Sequence, residues 1–202
     1  MSCLSYSFAG MVPVVDPSAY VHPTAVLIGD VRIGANCFIG PGASLRGDFS
    51  SVIVGAGSNI QDQCTLHGTP GFPTIVEEMG HVGHGAVVHG CHVGRNALVG
   101  MGAAIYDGAR IGEGAVIAAK AFVPADFEVP PFMLVAGVPA KVLRPLTQAE
   151  IARKTRGTEA YQELARQCHE SLRPCQPLTA PEPGRDGMDP SSLWPTDLSR
   201  PR

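Results

Sequence analysis

The sequence predicts an all-β protein, a parallel β-helix built as a triangular prism and followed by C-terminal α-helices. Aliphatic residues recur at every sixth position, a small residue lies four positions after most of them, and glycine or asparagine supplies the turns. A period of six fits neither an α-helix nor a long alternating strand, but it fits a short strand with a turn. Three such units close one coil, and stacked coils hydrogen-bond along the prism axis.

The repeat can be followed in two parts of the chain. The C-terminal part comprises Val87, Val93, Val99, Ile105, Ile111, Ile117 and Val123. The N-terminal part comprises Val21, Leu27, Ile33, Ile39 and Leu45 and then, after a slip of three residues, Val54, Ile60 and Leu66. Cys37, Cys64 and Cys91 occupy the small inward position, where we expect compact buried thiols without a redox role.

The repeat predicts a β-helix domain over residues 10–146. It is interrupted between Leu66 and Val82, where the chain is rich in glycine and proline at both flanks. We therefore predict a protruding loop over residues 68–80, and loops on rigid scaffolds often carry function. Glu77 and Glu78 lie in this segment, and the pattern assigns them no role.

The segment that follows the β-helix changes to a helical pattern. Residues 147–173 are predicted to form C-terminal helices, with Thr147 and Glu150 as a capping box and Gly157 separating two helices. Residues 174–202 contain many prolines and few aliphatic residues, so we predict an extended or disordered tail.

Composition excludes several classes of function. The formal net charge of −3 over 202 residues gives no reason to expect nucleic acid or an anionic membrane as a partner. No apolar run is long enough to span a bilayer, and the N-terminus lacks the regions of a signal peptide. We therefore expect a cytoplasmic protein in which the six cysteines are reduced.

Four of the seven histidines fall within residues 81–92. His84 and His89 are five residues apart, and on an extended wall five residues cover roughly 16 Å, too far for both rings to bind one ion. His89 can instead meet His67 on the neighbouring coil. We hypothesise that His67 and His89 of one subunit and His84 of the next bind a metal ion in a trimer, since three imidazoles and a water form a catalytic zinc site.

We interpret the remaining histidines as ordinary polar residues. A single histidine on a β wall is usually an ordinary polar residue. We assign His22, His81, His92 and His169 to that class, although His81 and His92 could bind a stray metal ion.

Several segments together resemble a known family. "LRGDF", "NIQDQCTLH", "GHVGHGAVVHGCHVG", "ALVGMGAAIYDGARIG" and "VAGVPAKVLR" are similar to the γ-class carbonic anhydrase family of hexapeptide-repeat proteins, over residues 8–178. Within it, the chain is most similar to the branch of phenylacetic acid degradation and carnitine operon proteins. The resemblance implies a left-handed β-helix, although the general crossover rule favours a right-handed coil. It also implies a homotrimer that binds Zn²⁺, or another divalent ion such as Fe²⁺ or Co²⁺, through His67, His84 and His89.

The resemblance assigns roles to five further residues. It implies that Arg46 and Asp62 form an ion pair across the trimer interface, with Asp48 and Asn59 as its polar neighbours. It implies that Gln61 orients a metal-bound water or the substrate. Arg46, Asp48 and Asp62 could equally stabilise the trimer without taking part in chemistry, whereas Gln61 is the strongest catalytic candidate after the metal ligands.

One departure from the family pattern affects the expected activity. Phe49 stands where the prototype carbonic anhydrase has an acidic residue, and fast CO₂ hydration needs a route for the proton. We therefore expect a metal-dependent hydrolase of acyl-CoA thioesters in phenylacetate catabolism, in which hydroxide formed on the metal attacks the thioester carbonyl. The alternatives are a γ-type carbonic anhydrase acting on CO₂ or bicarbonate, a hexapeptide acyltransferase, and a non-catalytic trimeric scaffold or activator of the carnitine pathway type.

Overall fold

The computed structural model describes residues 3–187, which contain twenty strands and one helix. The bounds in chain order are β1 Leu4–Tyr6, β2 Val14–Val15, β3 Tyr20–Val21, β4 Val26–Ile33, β5 Phe38–Ile39, β6 Ser44–Val54, β7 Asn59–Ile60, β8 Thr65–His67, β9 Thr74–Val76, β10 His81–Val82, β11 Val87–His89, β12 His92–Val93, β13 Leu98–Val99, β14 Ala104–Ile105, β15 Arg110–Ile111, β16 Val116–Ile117, β17 Phe122–Val123, β18 Glu128–Val129, β19 Met133–Gly137, β20 Ala140–Pro145 and α1 Gln148–Ser171. The predicted β-helix therefore includes one more strand at its start, since β1 pairs with β4.

The strands form the three walls of a prism. Wall 1 contains β1, the first halves of β4 and β6, and β8, β11, β14 and β17. Wall 2 contains β2, the second halves of β4 and β6, and β9, β12, β15 and β18. Wall 3 contains β3, β5, β7, β10, β13, β16 and β19, all parallel, and ends at β20, which pairs antiparallel with β19. Each coil passes from wall 3 to wall 1 and then to wall 2.

The core is the column of aliphatic and small side chains inside the prism. Leu27, Leu45, Leu66 and Ile105 are fully buried, and so are the alanines and cysteines predicted at the small inward positions. Burial raises the pKa of the Cys37 and Cys64 thiols to about 11, which agrees with their prediction as inert core residues.

One predicted rung is wrong by one residue. Val88, not Val87, points into the core, and Val87 is 38% exposed on the outer face. The spacing is six residues from Val82 to Val88 but five from Val88 to Val93, because the corner after β11 is one residue shorter. Wall 1 therefore presents His89 outward on the same strand, two residues beyond Val87.

The interruption of the repeat is shorter than predicted. Residues 74–80 do not belong to a loop, because β9 joins wall 2 between β6 and β12. Only residues 68–73 protrude, and a bridge between Thr69 and Phe72 closes them. Glu77 lies just after β9, where it pairs with His92 at 2.9 Å.

The C-terminal segment forms one helix rather than two. Helix α1 continues through Gly157, which is buried within it. The predicted capping box is confirmed, since Thr147 accepts a hydrogen bond from the backbone N–H of Glu150 and the Glu150 carboxylate accepts one from that of Thr147. One side of α1 packs on wall 3, where Tyr161, Leu164 and Cys168 contact Tyr20 and Phe38.

The first part of the predicted tail agrees with the prediction. Residues 174–187 contain no helix or strand and are exposed. The prediction for residues 188–202 lies outside the described residues. Within residues 3–187, no helix combines the length and the apolar character needed to cross a membrane.

Candidate metal centre

Two of the predicted ligands lie side by side on wall 1. His67 ends β8 and His89 ends β11, and the strand register makes them direct neighbours on adjacent coils. The Nδ1 atom of His67 lies 3.1 Å from the Nε2 atom of His89. The protruding loop 68–73 accounts for their separation of 22 residues, which is more than one coil.

A carboxylate fixes the outer nitrogen of each ring. His67 Nε2 donates to Asp48 at 2.9 Å, and His89 Nδ1 donates to Asp107 at 2.5 Å. The two nitrogens that face each other are therefore both hydrogen-bond acceptors. Two lone pairs at 3.1 Å repel each other unless a proton or a metal ion lies between them.

The pair has the dimensions of two ligands of one metal ion. Zinc–nitrogen bonds of about 2.0–2.1 Å in tetrahedral geometry separate two ligating nitrogens by roughly 3.3 Å. A histidine that ligates a metal usually donates its other N–H to a carboxylate, as His67 and His89 do here. The donor set therefore fits a divalent ion, with two ligands from one chain.

The third predicted ligand lies at the opposite corner of wall 1. His84 is in the turn between β10 and β11, whereas His89 is at the far end of β11. His84 Nδ1 lies 2.5 Å from Asp62, so its Nε2 is the nitrogen left with a lone pair. Across residues 3–187 of one chain, no group of three or more candidate ligands is close enough to hold an ion.

The hydroxyl of Tyr161 also reaches His84. It lies 3.4 Å from His84 Nε2, and it comes from helix α1. Burial, and then the neighbouring Asp62, raise the pKa of Tyr161 to about 12, so the hydroxyl stays protonated and can donate.

Gln61 lies in the His84 corner and is 3% exposed. Its Oε1 accepts the backbone N–H of His84 at 3.2 Å. Its side-chain nitrogen donates to Asn59 Oδ1 at 2.9 Å and contacts His81 Nε2 at 2.7 Å. The hydrogen-bonding groups of Gln61 therefore face the interior of this chain, and Gln61 lies beside the third predicted ligand rather than beside His67 and His89.

The predicted interfacial pair does not form within one chain. Arg46 instead binds Asp48 at 2.6 Å, while Asp62 binds His84 at the other corner of wall 1. Partial burial opposes ionisation of Asp48, but the hydrogen bonds from His67 and Arg46 outweigh it and hold its pKa below the ordinary value. Asp48 is therefore an anionic partner for His67 at neutral pH.

Aromatic side chains surround the His67–His89 pair. The Phe49 ring lies 5.6 Å from the His67 ring, and the Arg46 guanidinium lies 6.0 Å from the centre of Phe49. Tyr106 lies 6.5 Å from His89. Phe49 is 60% exposed, so an apolar surface borders the imidazoles.

The polar contacts between α1 and wall 3 were not anticipated. His81 is partly buried under α1, and burial, together with the charge of Lys154, lowers its pKa to about 3. Burial lowers the pKa of Lys154 to about 7, and its Nζ donates to the backbone and side-chain oxygens of Asn96. His81 is therefore neutral at physiological pH, and the interpretation of it as an ordinary surface histidine is wrong.

Two residues of the centre were missed in the sequence. Asp107 could have been found, because it follows His89 by eighteen residues, the length of one coil. Tyr161 had no such signal, because its contact with His84 joins residues 77 positions apart.

The comparisons with known proteins agree with the coil repeat. The family model described as "Bacterial transferase hexapeptide (six repeats)" matches residues 13–47 and 90–125. The fold is thus a left-handed parallel β-helix of the hexapeptide-repeat class, as predicted.

Two curated relatives align with most of the chain. The carnitine operon protein CaiE of Citrobacter koseri is 54% identical over 89% of this chain and 91% of its own length, and that of Salmonella dublin is 53% identical over the same shares. The chain belongs to the hexapeptide-repeat family that includes CaiE.

Solved structures show the same architecture. A Bacillus cereus protein assigned as an acetyltransferase is 38% identical, with a TM-score of 0.83 over 84% of this chain and 99% of that one. A hexapeptide transferase family protein of Anaplasma phagocytophilum is 38% identical, with a TM-score of 0.79 over 83% of this chain and 99% of that one.

Proposed function

We propose that this chain forms a homotrimer that binds a divalent metal ion between subunits and hydrolyses acyl-CoA thioesters in a carnitine-type pathway. His67 and His89 of one subunit and His84 of the next would hold the ion. The observation that carries the proposal is the pair of imidazole acceptors facing each other at 3.1 Å, each backed by a carboxylate.

The outer face of wall 1 supports the trimer. Leu4, Tyr6 and Val87 are exposed on its strands, and Met101 and Tyr106 are exposed at its two corners. Exposed apolar side chains that recur on one face are typical of a protein interface. Contact across this wall would bring the His84 corner of one subunit towards the His67–His89 corner of another.

The residues of the chain have separate tasks in this centre. A divalent ion supplies Lewis acidity and lowers the pKa of a coordinated water towards about 7. Asp48, Asp107 and Asp62 each contact one ring nitrogen of the three imidazoles and orient the rings, so that the other nitrogen of each is directed away from the carboxylate. The Tyr161 hydroxyl lies beside His84 Nε2 and could donate a hydrogen bond at this corner.

The substrate class rests on the surroundings and the relatives. Phe49 and Tyr106 offer an apolar surface to an acyl group beside the imidazoles. The Bacillus cereus relative is assigned as an acetyltransferase, a class that uses acyl donors, and the curated relatives are carnitine operon proteins. These names favour a carnitine setting over the phenylacetate setting expected from the sequence.

A chelator-controlled assay tests the proposal. The purified protein is incubated with CoA thioesters of short-chain, aromatic and trimethylammonium-bearing acyl groups, and release of free thiol is followed. We expect turnover that a chelator abolishes, that Zn²⁺ or Co²⁺ restores and that His84→Ala lacks. Thiol release that survives complete metal removal would contradict the proposal, and rapid CO₂ hydration without thiol release would favour the carbonic anhydrase alternative.

The names of the relatives support a second candidate more directly than they support hydrolysis. The family model is of transferases, and the curated relatives carry an operon name rather than the name of an enzyme. On this basis the chain would transfer an acyl group from CoA or serve as a trimeric accessory protein of a carnitine-type pathway. Mass-spectrometric detection of an acylated carnitine-type acceptor would establish transfer. Loss of pathway flux on deletion, without turnover by the pure protein, would establish the accessory role.

A further inference from the structure

Helix α1 contacts the His84 corner through a chain of polar groups. Thr158 of α1 places its hydroxyl 3.3 Å from His81 Nδ1, and the Tyr161 ring packs edge-on against the His81 ring at 5.5 Å. His81 points outward from wall 3, where β10 pairs with β7 and β13, and α1 covers it. The imidazole is therefore held between the wall and the helix.

His81 in turn orients Gln61. At 2.7 Å, His81 Nε2 accepts one amide hydrogen of Gln61, and Asn59 Oδ1 accepts the other at 2.9 Å. Since both amide hydrogens are bound, the carboxamide can no longer flip, and its Oε1 points to the backbone N–H of His84. His81 can act as an acceptor because it is neutral, and its ring nitrogens contact no carboxylate, unlike those of His67, His84 and His89.

We propose that His81 is a positioning residue for His84, the imidazole that each subunit would contribute to its neighbour. His81 locks the carboxamide of Gln61, and Gln61 holds the backbone of His84. The predicted effect of His81 on metal binding rests on the proposed metal centre, whereas the hydrogen bonds that join His81, Gln61 and His84 lie within a single chain. In this arrangement Gln61 acts on the centre through the backbone of His84.

The test compares three variants of the full-length protein. His81→Phe keeps an aromatic ring against Tyr161 but removes the acceptor for Gln61. His81→Gln restores an acceptor oxygen. His92→Phe is the matched control, because His92 is also the outward first residue of a two-residue strand, but it pairs with Glu77 on wall 2.

Two measurements are made on each variant. Zn²⁺ affinity is determined by competition with a chromophoric chelator, and hydrogen exchange at the His84 amide is followed by NMR. We expect His81→Phe to weaken Zn²⁺ binding by up to about tenfold and to accelerate His84 exchange, since direct partners of ligands typically contribute 10–100-fold in affinity and His81 acts on His84 through Gln61. His81→Gln should recover most of both losses, and His92→Phe should behave as the wild type.

The outcomes separate this inference from the metal proposal. Wild-type affinity and unchanged His84 exchange in His81→Phe would overturn the inference, and so would equal losses in His92→Phe. If the wild type binds no Zn²⁺, the metal proposal fails, while faster His84 exchange in His81→Phe alone still supports the positioning role of His81.

Discussion

His67 and His89 face each other across 3.1 Å with their carboxylate-bound nitrogens turned away. This arrangement leaves two lone pairs directed at one point on the outer surface of wall 1. His84 cannot reach that point within the same chain, because it lies at the other corner of the wall. In the proposed centre, one subunit would therefore supply two of the three ligands at each site, and this has a direct experimental consequence.

Mixed trimers should restore a metal site that neither parent variant has. His67→Ala and His84→Ala each remove one ligand from every interface, so we expect both to lose most of the bound metal. When the two are unfolded together and reassembled, an interface between an intact His67–His89 pair and an intact His84 becomes possible. We expect about one ion per subunit in the wild type. Metal analysis of the mixture should recover a fraction of that amount.

Two controls accompany the mixing experiment. His92→Ala should keep its metal, since His92 pairs with Glu77 on wall 2. Reassembly of each variant alone should recover none. Full metal retention by His84→Ala would mean that the site does not cross a subunit boundary.

Asp107 should determine how strongly His89 binds a metal. Asp107→Asn replaces the 2.5 Å carboxylate contact at His89 Nδ1 with a neutral amide of the same shape. We expect a loss of about 10–100-fold in Zn²⁺ affinity with the trimer intact, measured by chelator competition and sedimentation. Asp126→Asn is the control one coil away, where Asp126 is exposed and adopts a positive φ that asparagine tolerates. An equal loss of Zn²⁺ affinity in both variants would mean that the change in net charge, and not the contact with His89, causes the loss.

The fold could be predicted because the six-residue repeat relates residues that are close in the sequence. Each inward residue of the prism follows from the one six positions earlier, so the core could be located without knowledge of long-range contacts. The errors arose where the step changes. Counting back from Val93 in steps of six predicts Val87 instead of Val88, because the corner between them is one residue shorter. The predicted loop conceals β9, although Val76 precedes Val82 by six residues.

The centre was only partly predictable. The separation of His84 and His89 along a wall follows from the rise of an extended strand, and that was enough to exclude a site within one chain. The contacts of Tyr161 and Thr158 with the histidines were not predictable, because α1 lies outside the repeat and can pack on any wall. No period relates a residue of α1 to a residue of β10.

Phe49 should influence which substrate the centre accepts. It is 60% exposed beside His67, so Phe49→Glu changes the local chemistry without opening a core cavity. We expect this variant to lose several-fold in kcat/KM for acyl-CoA thioesters and to gain CO₂ hydration, since an acidic side chain can move protons beside the metal. Phe49→Leu is the control, because it keeps the apolar surface. Stopped-flow hydration and thiol release, measured on the same samples, decide the outcome.

His81 should make the stability of the protein fall in mild acid. Burial under α1 holds its pKa at about 3, below the ordinary 6.5, and Lys154 and His84 are the charged or titratable groups that reinforce the shift. Above pH 6.5 neither the folded nor the unfolded form is protonated there, so the residue has no effect on stability. Below pH 6.5 the unfolded chain binds a proton that the folded chain refuses, at up to about 1.4 kcal/mol per pH unit until about pH 3.

The measurement is the free energy of unfolding of the wild type and of His81→Gln at pH 7.5 and pH 5.5, at one protein concentration. The two proteins differ only at residue 81, so the difference between their losses isolates the contribution of His81. We expect the wild type to lose about 1 kcal/mol more than His81→Gln over this interval. Parallel losses in the two proteins would show that His81 is free to take up a proton in the folded state, which is incompatible with its role as the acceptor for Gln61.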